Sequence, residues 1–339
     1  MESLFRVAAF ALLAVGCGSS SGGHDLGSHD MAMPSSPLGV GHVAFMLMDD
    51  GHAHRAAATN PATVEDVSGE LEAASTGADS DISLSHDGKL AAVITTRFGC
   101  AAFECLALAP VGDMVQASSA QVVLANGQQL HPSDRPAIAN GGAFIVYSDS
   151  GGPHGRDLFI VRKQAAGGYG APLLLTASST FDFNLLPSLT RDESSLVYDC
   201  SATGSKVQAS LCKVNLDGTG WAVTLAGSAG PGATAMNETH SGDFAPDGTT
   251  LVFEADWSMG NQRIWKRDAA GTLSQFNPMF TNDVTPCVLP DGRIVSLWLN
   301  RPGNMGGTHE PKVMSPDGAT YEMLLQNVDV IDTGLSCSD

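Results

Sequence analysis

The stretch Asp243–Asp256, DFAPDGTTLVFEAD, decides the fold, because the chain repeats its shape several times. A short half-apolar run leads into a tight polar turn, and an aliphatic run follows that ends on small or polar residues. The same shape recurs in SLSHDGKLAAVITT (Ser83–Thr96), SLTRDESSLVYDC (Ser188–Cys200) and CVLPDGRIVSLWLN (Cys287–Asn300). Asp-Gly at such a turn supplies the positive φ that a tight hairpin needs, so each copy predicts a β-hairpin.

The turns of these copies are nearly evenly spaced along the chain. They fall at Asp87, Asn140, Asp192, Asp247 and Asp291, at intervals of 53, 52, 55 and 44 residues. A period of this size that holds about four strand-like runs is typical of a β-propeller blade. The periods carry no long 3.6-residue apolar pattern, which argues against a helical solenoid. Five copies alone would leave the ring open.

Both ends of the folded chain carry fragments of the same pattern. The last residues, DTGLSCSD (Asp332–Asp339), have the shape of an innermost strand that stops at the turn, and SPLGVGHVAFMLMDDG (Ser36–Gly51) has the shape of the turn and the second strand. The two fragments are in register with the repeat. The sequence therefore predicts an all-β fold: a six-bladed β-propeller over residues 37–339, closed by N- and C-terminal strands in one blade.

These motifs resemble the TolB-type propeller repeat, a WD40-like repeat whose signature is SPDG followed by an apolar strand. The resemblance covers most of Pro37–Asp339. We expect no α/β domain of the kind that precedes the propeller in TolB itself, so the resemblance does not imply the colicin and Pal partnerships of that family. Such propellers also occur in peptidases, lyases and binding modules, and the fold therefore leaves the function open.

The N-terminus predicts export. The stretch LFRVAAFALLAVGC (Leu4–Cys17) has one arginine, an apolar run of about ten residues and small residues before the cysteine, which is the pattern of a signal peptide and is too short for a membrane span. AVGC resembles the lipobox of bacterial lipoproteins, with Ala14 where that family usually has leucine. We predict a lipoprotein signal peptide over residues 1–16 and lipidation of Cys17; the alternative is an ordinary secretory signal with loss of this cysteine.

The residues after Cys17 and the overall charge indicate where the chain acts. Residues 17–36 are rich in serine and glycine, as a tether between a lipid anchor and a domain would be. Gly18 follows the cysteine with no aspartate at that place, which by analogy with other lipoproteins favours the outer membrane. A formal net charge of −19 disfavours nucleic acid as a partner. We expect a monomeric cell-envelope lipoprotein, periplasmic or surface-exposed, that meets the membrane through its anchor.

Export makes disulfides the expected state of the other six cysteines, although six allow 15 pairings until a fold narrows them. The predicted order of strands and blades groups these cysteines into three pairs, each close enough to form a disulfide. Two pairs flank hairpins, and the third joins adjacent innermost strands. The predicted pairs are Cys100 with Cys105, Cys200 with Cys212, and Cys287 with Cys337. The alternative is three pairs of reduced, buried thiols.

The histidines are the strongest candidates for chemistry, because no nucleophile elbow, HExxH, P-loop, paired CxxC or spaced triad occurs. Six histidines fall on one predicted face of the propeller, in loops between strands two and three or just before innermost strands. A divalent metal near the channel mouth would best be held by His131, His240 and His309, and less well by His52, His54 and His154. This resembles the oligogalacturonate lyases in general arrangement only. The alternative is that these histidines never converge.

Taken together, these sequence features favour a binding or scaffolding module over an enzyme. Trp257 and Met259, in a predicted loop of the same face, favour a contact surface. One alternative is a metal-dependent lyase or hydrolase that acts on an exported polymer through the histidine-rich face. A minor alternative is copper handling, since His24, His29, Met31 and Met33 of the tether accompany His52 and His54. The sequence establishes no cofactor and leaves a divalent metal open.

Overall fold

The computed structural model describes residues 41–100, 103–204, 208–258, 261–276, 281–302, 307–331 and 334–339. The predicted signal peptide, Cys17 and the tether lie outside these residues. In the part of the chain that is described, no helix has the length and apolar character needed to cross a membrane. Among these described residues there is one α-helix, α1, which spans Val67–Glu72 and lies between the closing blade and blade one.

Strands dominate the fold, as the repeat predicts. In chain order they are β1 His42–Met46, β2 Ala53–Ala57, β3 Val64–Asp66, β4 Asp79–Leu84, β5 Leu90–Thr95, β6 Cys105–Pro110, β7 Gln121–Val122, β8 Leu124–Ala125, β9 Gln128–Gln129, β10 Ala137–Ile138, β11 Phe144–Asp149, β12 Asp157–Arg162, β13 Leu173–Leu174, β14 Phe183–Leu189, β15 Ser195–Ser201, β16 Ser210–Asn215, β17 Ala222–Leu225, β18 Thr239–Phe244, β19 Leu251–Ser258, β20 Asn261–Arg267, β21 Leu273–Gln275, β22 Asn282–Val288, β23 Ile294–Leu299, β24 His309–Met314, β25 Tyr321–Met323 and β26 Ser336–Ser338.

Six four-stranded antiparallel sheets form the blades of a propeller. Blades one to five are β4–β7, β10–β13, β14–β17, β18–β21 and β22–β25, and the closing blade has the order β26-β1-β2-β3. A small hairpin, β8–β9, lies between blades one and two and was not predicted. The six-bladed ring with a closing blade made from both ends of the chain is confirmed.

The repeated turn folds as a tight hairpin because its aspartate binds backbone amides. In blade four, Oδ1 of Asp247 accepts the N–H groups of Thr249 and Thr250, each at 2.8 Å. Gly248 takes φ = 68°, in the left-handed region where glycine carries no steric penalty. Blades one and five have the same Asp-Gly turn, whereas blade two has Asn140-Gly141 and blade three places Glu193 at the positive φ.

Closure of the ring depends on a short C-terminal strand. The innermost strand β26 pairs with β1 through His42 opposite Ser338 and Ala44 opposite Ser336. The strand begins at Ser336, four residues later than the predicted fragment Asp332–Asp339. Three residues of pairing are little for a ring of this size, so side-chain packing and covalent links must support the closure.

The apolar core lies between neighbouring blades. Between blade five and the closing blade, Val43 and Phe45 of β1 pack in one cluster with Val284 of β22 and with Val295 and Leu297 of β23. All five side chains are buried. Alternate residues of each strand face opposite sides of the sheet, so each blade packs against both of its neighbours.

Buried acids add polar links between successive blades. The innermost strands β18 and β22 each contain a bulge with a positive-φ residue, at Ser241 and Thr285. The N–H of Ser241 donates to Asp199 in the preceding blade, and the N–H of Thr285 donates to Glu254 in the same manner. Bulge amides would otherwise be unpaired and buried, so each acid satisfies the amide and fixes the angle to the next blade.

Three disulfides link the six described cysteines in the pairs that the blade plan predicts. The Cα atoms are 5.6 Å apart for Cys100–Cys105, 5.9 Å for Cys200–Cys212 and 5.5 Å for Cys287–Cys337. The first links the β5–β6 loop to the start of β6, the second bridges the second and third strands of blade three, and the third joins the innermost strands of blade five and the closing blade. Such a framework is typical of exported proteins.

Candidate functional site

One face of the propeller collects most of the candidate residues. In a four-stranded antiparallel blade, the loops between strands two and three and the connections from blade to blade emerge on the same side. We call this side the loop face; it includes residues 47–52 of the closing blade, 96–100 and 103–104 of blade one, 150–156 of blade two and 226–238 between blades three and four. Loops on a rigid scaffold of this kind commonly carry function.

The structure does not bring His131, His240 and His309 together. Among the described residues, one group of three or more His, Cys, Asp or Glu side chains has its ligand atoms mutually within 4.8 Å, and none of these three histidines belongs to it. Nδ1 of His131 lies 2.6 Å from the backbone oxygen of Glu104, and Nδ1 of His309 lies 2.8 Å from Oδ1 of Asp329. Each histidine has a local partner, which the sequence pattern does not reveal.

His240 is held as a cation. It lies within β18, not before it, and is buried between Asp199, 3.6 Å from Nδ1, and Glu238, 3.3 Å from Nε2. Burial alone would lower the pKa of the imidazole, but these carboxylates outweigh it and raise the pKa to about 10. A protonated imidazole has no lone pair to offer a metal, so His240 serves as an ion-pair partner between blades.

The group that the structure does assemble is Asp50, His52 and His54, in the hairpin between β1 and β2. His52 and His54 alternate along the chain and therefore project to the same side of the sheet. The turn brings Asp50 back toward them: its Oδ1 accepts the N–H of His52 at 2.8 Å, and its Oδ2 lies 3.0 Å from Nε2 of His54. These are the residues that could hold a metal ion.

A fourth residue, Asp66, contacts this group through the ring of His52. Nδ1 of His52 lies 3.0 Å from both carboxylate oxygens of Asp66. Asp66 is also the N-cap of α1, and its Oδ1 accepts the N–H of Gly69 at 2.9 Å. Partial burial would raise the pKa of Asp66, but the Gly69 amide and the His52 ring outweigh it and lower that pKa. Asp66 is therefore ionised and fixed in place.

His154 and the arginines of the loop face form separate pairs. Nδ1 of His154 lies 2.8 Å from Oδ1 of Asp157, three residues along the chain. Arg97 binds Asp79 at 3.1 Å and also contacts Glu72. These contacts fasten loops to strands, so the polar residues of this face are largely engaged in structural pairs.

The axis of the propeller holds a cavity of about 40 Å³. Every innermost strand contributes at least one residue to its lining, including Ser83, Ala137, Ser188, Asp243, Cys287 and Ser336. A space of this size accommodates a few water molecules at most, so a substrate has no room inside the channel. Binding through the propeller therefore has to use an outer surface.

Two acids near the axis have strongly raised pKa values. Burial raises the pKa of Asp81, on β4, to about 7, and the charge of Arg135 offsets this effect only in part. Burial likewise raises the pKa of Asp134 to about 7. As a whole residue Asp134 is partly exposed, but its Oδ1 is enclosed. These acids titrate near neutral pH and were not predicted from the sequence.

Sequence reasoning also misassigned the tryptophan of blade four. Trp257 was predicted to lie in an exposed loop, but β19 extends through it and the side chain is only 4% exposed. Its ring packs against Phe253 and Trp265, and its indole N–H donates to the backbone oxygen of Gly227. Met259 lies outside the described residues. Asp50 and Asp66, which complete the histidine group, were missed, although Asp50 stands two residues from His52 in the sequence.

Comparison with known proteins supports the fold. No protein-family profile and no curated sequence matches the chain. Among solved structures, TolB from Acinetobacter baumannii matches 88% of the chain and 66% of its own length, at 13% identity and a TM-score of 0.59. A protein from Agrobacterium tumefaciens identified as a TolB matches 87% of the chain and 91% of its own length, at 16% identity and a TM-score of 0.57.

An oligogalacturonate lyase in complex with manganese is similar over 83% of the chain and 77% of its own length, at 13% identity and a TM-score of 0.50. At these identities the likeness establishes the TolB-like six-bladed propeller and carries no activity with it.

Proposed function

We propose that the chain is a lipid-anchored binding and scaffolding module of the bacterial cell envelope, which contacts a protein partner through the loop face. One observation carries the proposal. The three most exposed large apolar side chains of the described residues are Phe103 at 75%, Met236 at 72% and Met48 at 57%, and all three lie on the loop face. Phenylalanine and methionine are enriched at protein interfaces.

The position of these side chains supports contact with a broad partner surface. Met48 belongs to the closing blade, Phe103 to blade one and Met236 to the connection between blades three and four. Met48 and Phe103 therefore stand on adjacent blades and Met236 stands across the ring from them, around an axis whose cavity measures about 40 Å³. The other exposed large apolar residues are less exposed, and several of them, such as Leu173 and Val223, lie on outermost strands.

A metal-dependent lyase or hydrolase has less support. The three histidines that would best hold the metal each have a separate partner, and His240 is protonated. Copper handling that uses the tether depends on residues outside the described part of the chain. The proposal of a binding module requires neither a metal nor a catalytic group, and it uses the surface that the fold leaves apolar.

Photo-crosslinking in the native envelope tests the binding role. A photoreactive phenylalanine analogue in place of Phe103 or Met236 should give a discrete adduct of higher mass, because these side chains would be buried against the partner. The same analogue in place of Leu173 or Val223, on outermost strands, is the matched control and should give none. Equal labelling at all four positions, or no adduct at any of them, would contradict the proposal.

Anchoring through Cys17 is tested separately. Cys17→Ser cannot be acylated, so the variant should move from the membrane fraction to the soluble fraction of the envelope, since stable attachment depends on acyl chains. Fractionation with immunodetection measures the change, and Cys17→Ser should leave the melting temperature of the propeller unaltered. Retention of the variant on outer membranes to the same extent as the wild type would remove the lipid anchor from the proposal.

A further inference from the structure

We propose that Asp50, His52 and His54 form a binding site for a transition-metal dication, with Zn²⁺ as its natural occupant. The inference is independent of the protein partner proposed above. It rests on three observations: the spacing of the ligand atoms, the support of His52 by an outer carboxylate, and an unused ring nitrogen on a buried histidine.

The spacing suits a shared ion. Oδ2 of Asp50 and Nε2 of His54 are 3.0 Å apart, and the ligand atoms of all three residues lie within 4.8 Å of one another. Metal–nitrogen and metal–oxygen bonds of about 2.0–2.2 Å place two ligands on one ion roughly 3–3.5 Å apart. Little rearrangement is needed, because the N–H of His52 already holds the other oxygen of Asp50.

The outer carboxylate orients the second ligand. Asp66 occupies Nδ1 of His52 and so leaves Nε2 of that ring as the metal-binding atom. A carboxylate behind a ligating histidine fixes the tautomer and makes the ring a stronger ligand. Asp66 is itself held by the N–H of Gly69 at the start of α1, so His52 is positioned by secondary structure and not by a loop alone.

The ring of His54 is buried and fixed in place, but one of its two nitrogens forms no hydrogen bond in the described part of the chain. The residue is only 6% exposed, and its ring stacks on Phe45 with centroids 6.0 Å apart. Within the part of the chain that is described, its Nδ1 is buried and has no hydrogen-bond partner. A purely structural histidine at this depth would ordinarily have both ring nitrogens satisfied. The stack on Phe45 holds the ring in place with Nε2 facing Asp50, so the imidazole is positioned to bind an ion that Asp50 shares.

The donor set selects the class of metal. Two imidazoles and one carboxylate suit Zn²⁺, Ni²⁺ and Cu²⁺, whereas Ca²⁺ and Mg²⁺ require mostly oxygen ligands. Asp50 is exposed and His52 is half-buried, so solvent can supply a fourth ligand. A Zn²⁺ ion with three protein ligands and one water matches this arrangement. Cu²⁺ should bind more tightly than Zn²⁺ in vitro, in the general order of divalent ions.

The ion would strengthen the closing blade. The turn that carries Asp50 is attached to the C-terminal segment by the N–H of Met48, which donates to the oxygen of Asp329 at 2.7 Å, and by a bridge between Leu47 and Val330. Metal bound at the turn would therefore connect β2, α1 and the segment that leads to the last strand.

Titration of the untagged full chain with ZnCl₂ tests the site. We expect one Zn²⁺ per chain, a Co²⁺ form with visible absorption bands, and a melting temperature that rises with metal concentration. His52→Ala should weaken Zn²⁺ binding at least about 100-fold. Asp66→Asn should weaken it about 10- to 100-fold, the usual range for an outer-shell partner. Asparagine caps a helix as well as aspartate does, so this variant should keep its fold.

Two controls make the result decisive. His154→Ala removes a histidine that is paired with an aspartate outside the group and should leave Zn²⁺ binding intact. His24→Ala with His29→Ala removes the tether histidines and should also leave it intact. Absence of binding to the wild type at about 1 mM Zn²⁺, or binding that survives His52→Ala and is lost in the tether variant, would overturn the proposal.

Discussion

Replacing both Cys287 and Cys337 by alanine is expected to lower the free energy of unfolding by about 4 kcal/mol. The bond closes a loop of 50 residues between the innermost strands of blade five and the closing blade. In the chain-entropy account, a crosslink over a loop of this length reduces the conformational entropy of the unfolded chain and so destabilises the unfolded state by about 4 kcal/mol. The loss should appear as a lower midpoint of urea denaturation.

The position of this disulfide makes its loss affect closure of the ring as well as total stability. The strand that it holds, β26, pairs over three residues, Ser336 to Ser338, and both sulfurs lie in the apolar cluster between the two blades. Without the bond, the last strand can detach and open the ring, which would expose the sheet edge of β1. We therefore expect a broader unfolding transition in the variant, because local opening precedes global unfolding.

Cys100→Ala with Cys105→Ala is the matched control. That bond joins a loop residue, Cys100, to the start of β6, and the cysteines are only 5 residues apart in sequence and lie within one blade. The same account gives about 2 kcal/mol for so short a loop. Equal losses in the two double variants would show that ring closure does not depend on the Cys287–Cys337 bond.

The fold was predictable because its information is local and repeated. The turn of each blade, such as Asp247 with Gly248, carries its own hydrogen bonds and its own positive φ. The position of each segment relative to these turns then showed which terminal fragments complete the sixth blade. It also showed which cysteines lie opposite each other. The prediction needed the order of strands in a blade and the order of blades in a ring, and both follow from the spacing alone.

The histidine site was only partly predictable, since the spacing reveals on which face a residue lies but not where around the ring. His131, His240 and His309 stand on different blades. Each of these rings contacts a nearby oxygen atom and not another histidine. His52 and His54 meet because one hairpin holds both. Asp66 reaches His52 through pairing of β2 with β3, a contact that depends on a loop conformation absent from the repeat pattern.

Buried charge was the least predictable feature, because it depends on assembly of the whole ring. Asp81 occupies an innermost strand where the sequence shows only DSDISL, a pattern that is equally compatible with an exposed carboxylate. Its burial follows from the approach of neighbouring innermost strands at the axis. The same assembly places Arg135 close enough to influence its pKa.

The contribution of Asp81 to wild-type stability should decrease as the pH rises from about 4 to about 7, and Asp81→Asn should remove that decrease. The folded chain raises the pKa of Asp81 from 3.8 to about 7, chiefly through burial. A group whose pKa is raised on folding favours the folded state fully below its unfolded pKa, and this contribution is lost as the pH rises through the folded value. A shift of about three units corresponds to at most about 4 kcal/mol.

Asparagine has nearly the shape of protonated aspartate and cannot ionise. At pH 8.5, Asp81→Asn should therefore be more stable than the wild type, by at least about 2 kcal/mol, because no charge has to be buried. At pH 4.5 the two proteins should have similar stability. Urea denaturation at both pH values measures the difference, and comparison at equal pH cancels the titration of His240, which is common to both proteins.

Asp247→Asn is the control of opposite sign. The pKa of Asp247 is lowered in the folded chain: partial burial would raise it, but the hydrogen bonds from Thr250 and Thr249 outweigh that effect. Its ionised form therefore stabilises the folded state, and Asp247→Asn should cost nearly the same stability at pH 8.5 and at pH 4.5, because both lie above the ordinary pKa of 3.8. If Asp81→Asn behaved like Asp247→Asn, the carboxylate of Asp81 would be ionised and satisfied at the axis, most directly through Arg135. Asp81 would then not be a destabilising buried acid, and its ion pair with Arg135 would stabilise the axis.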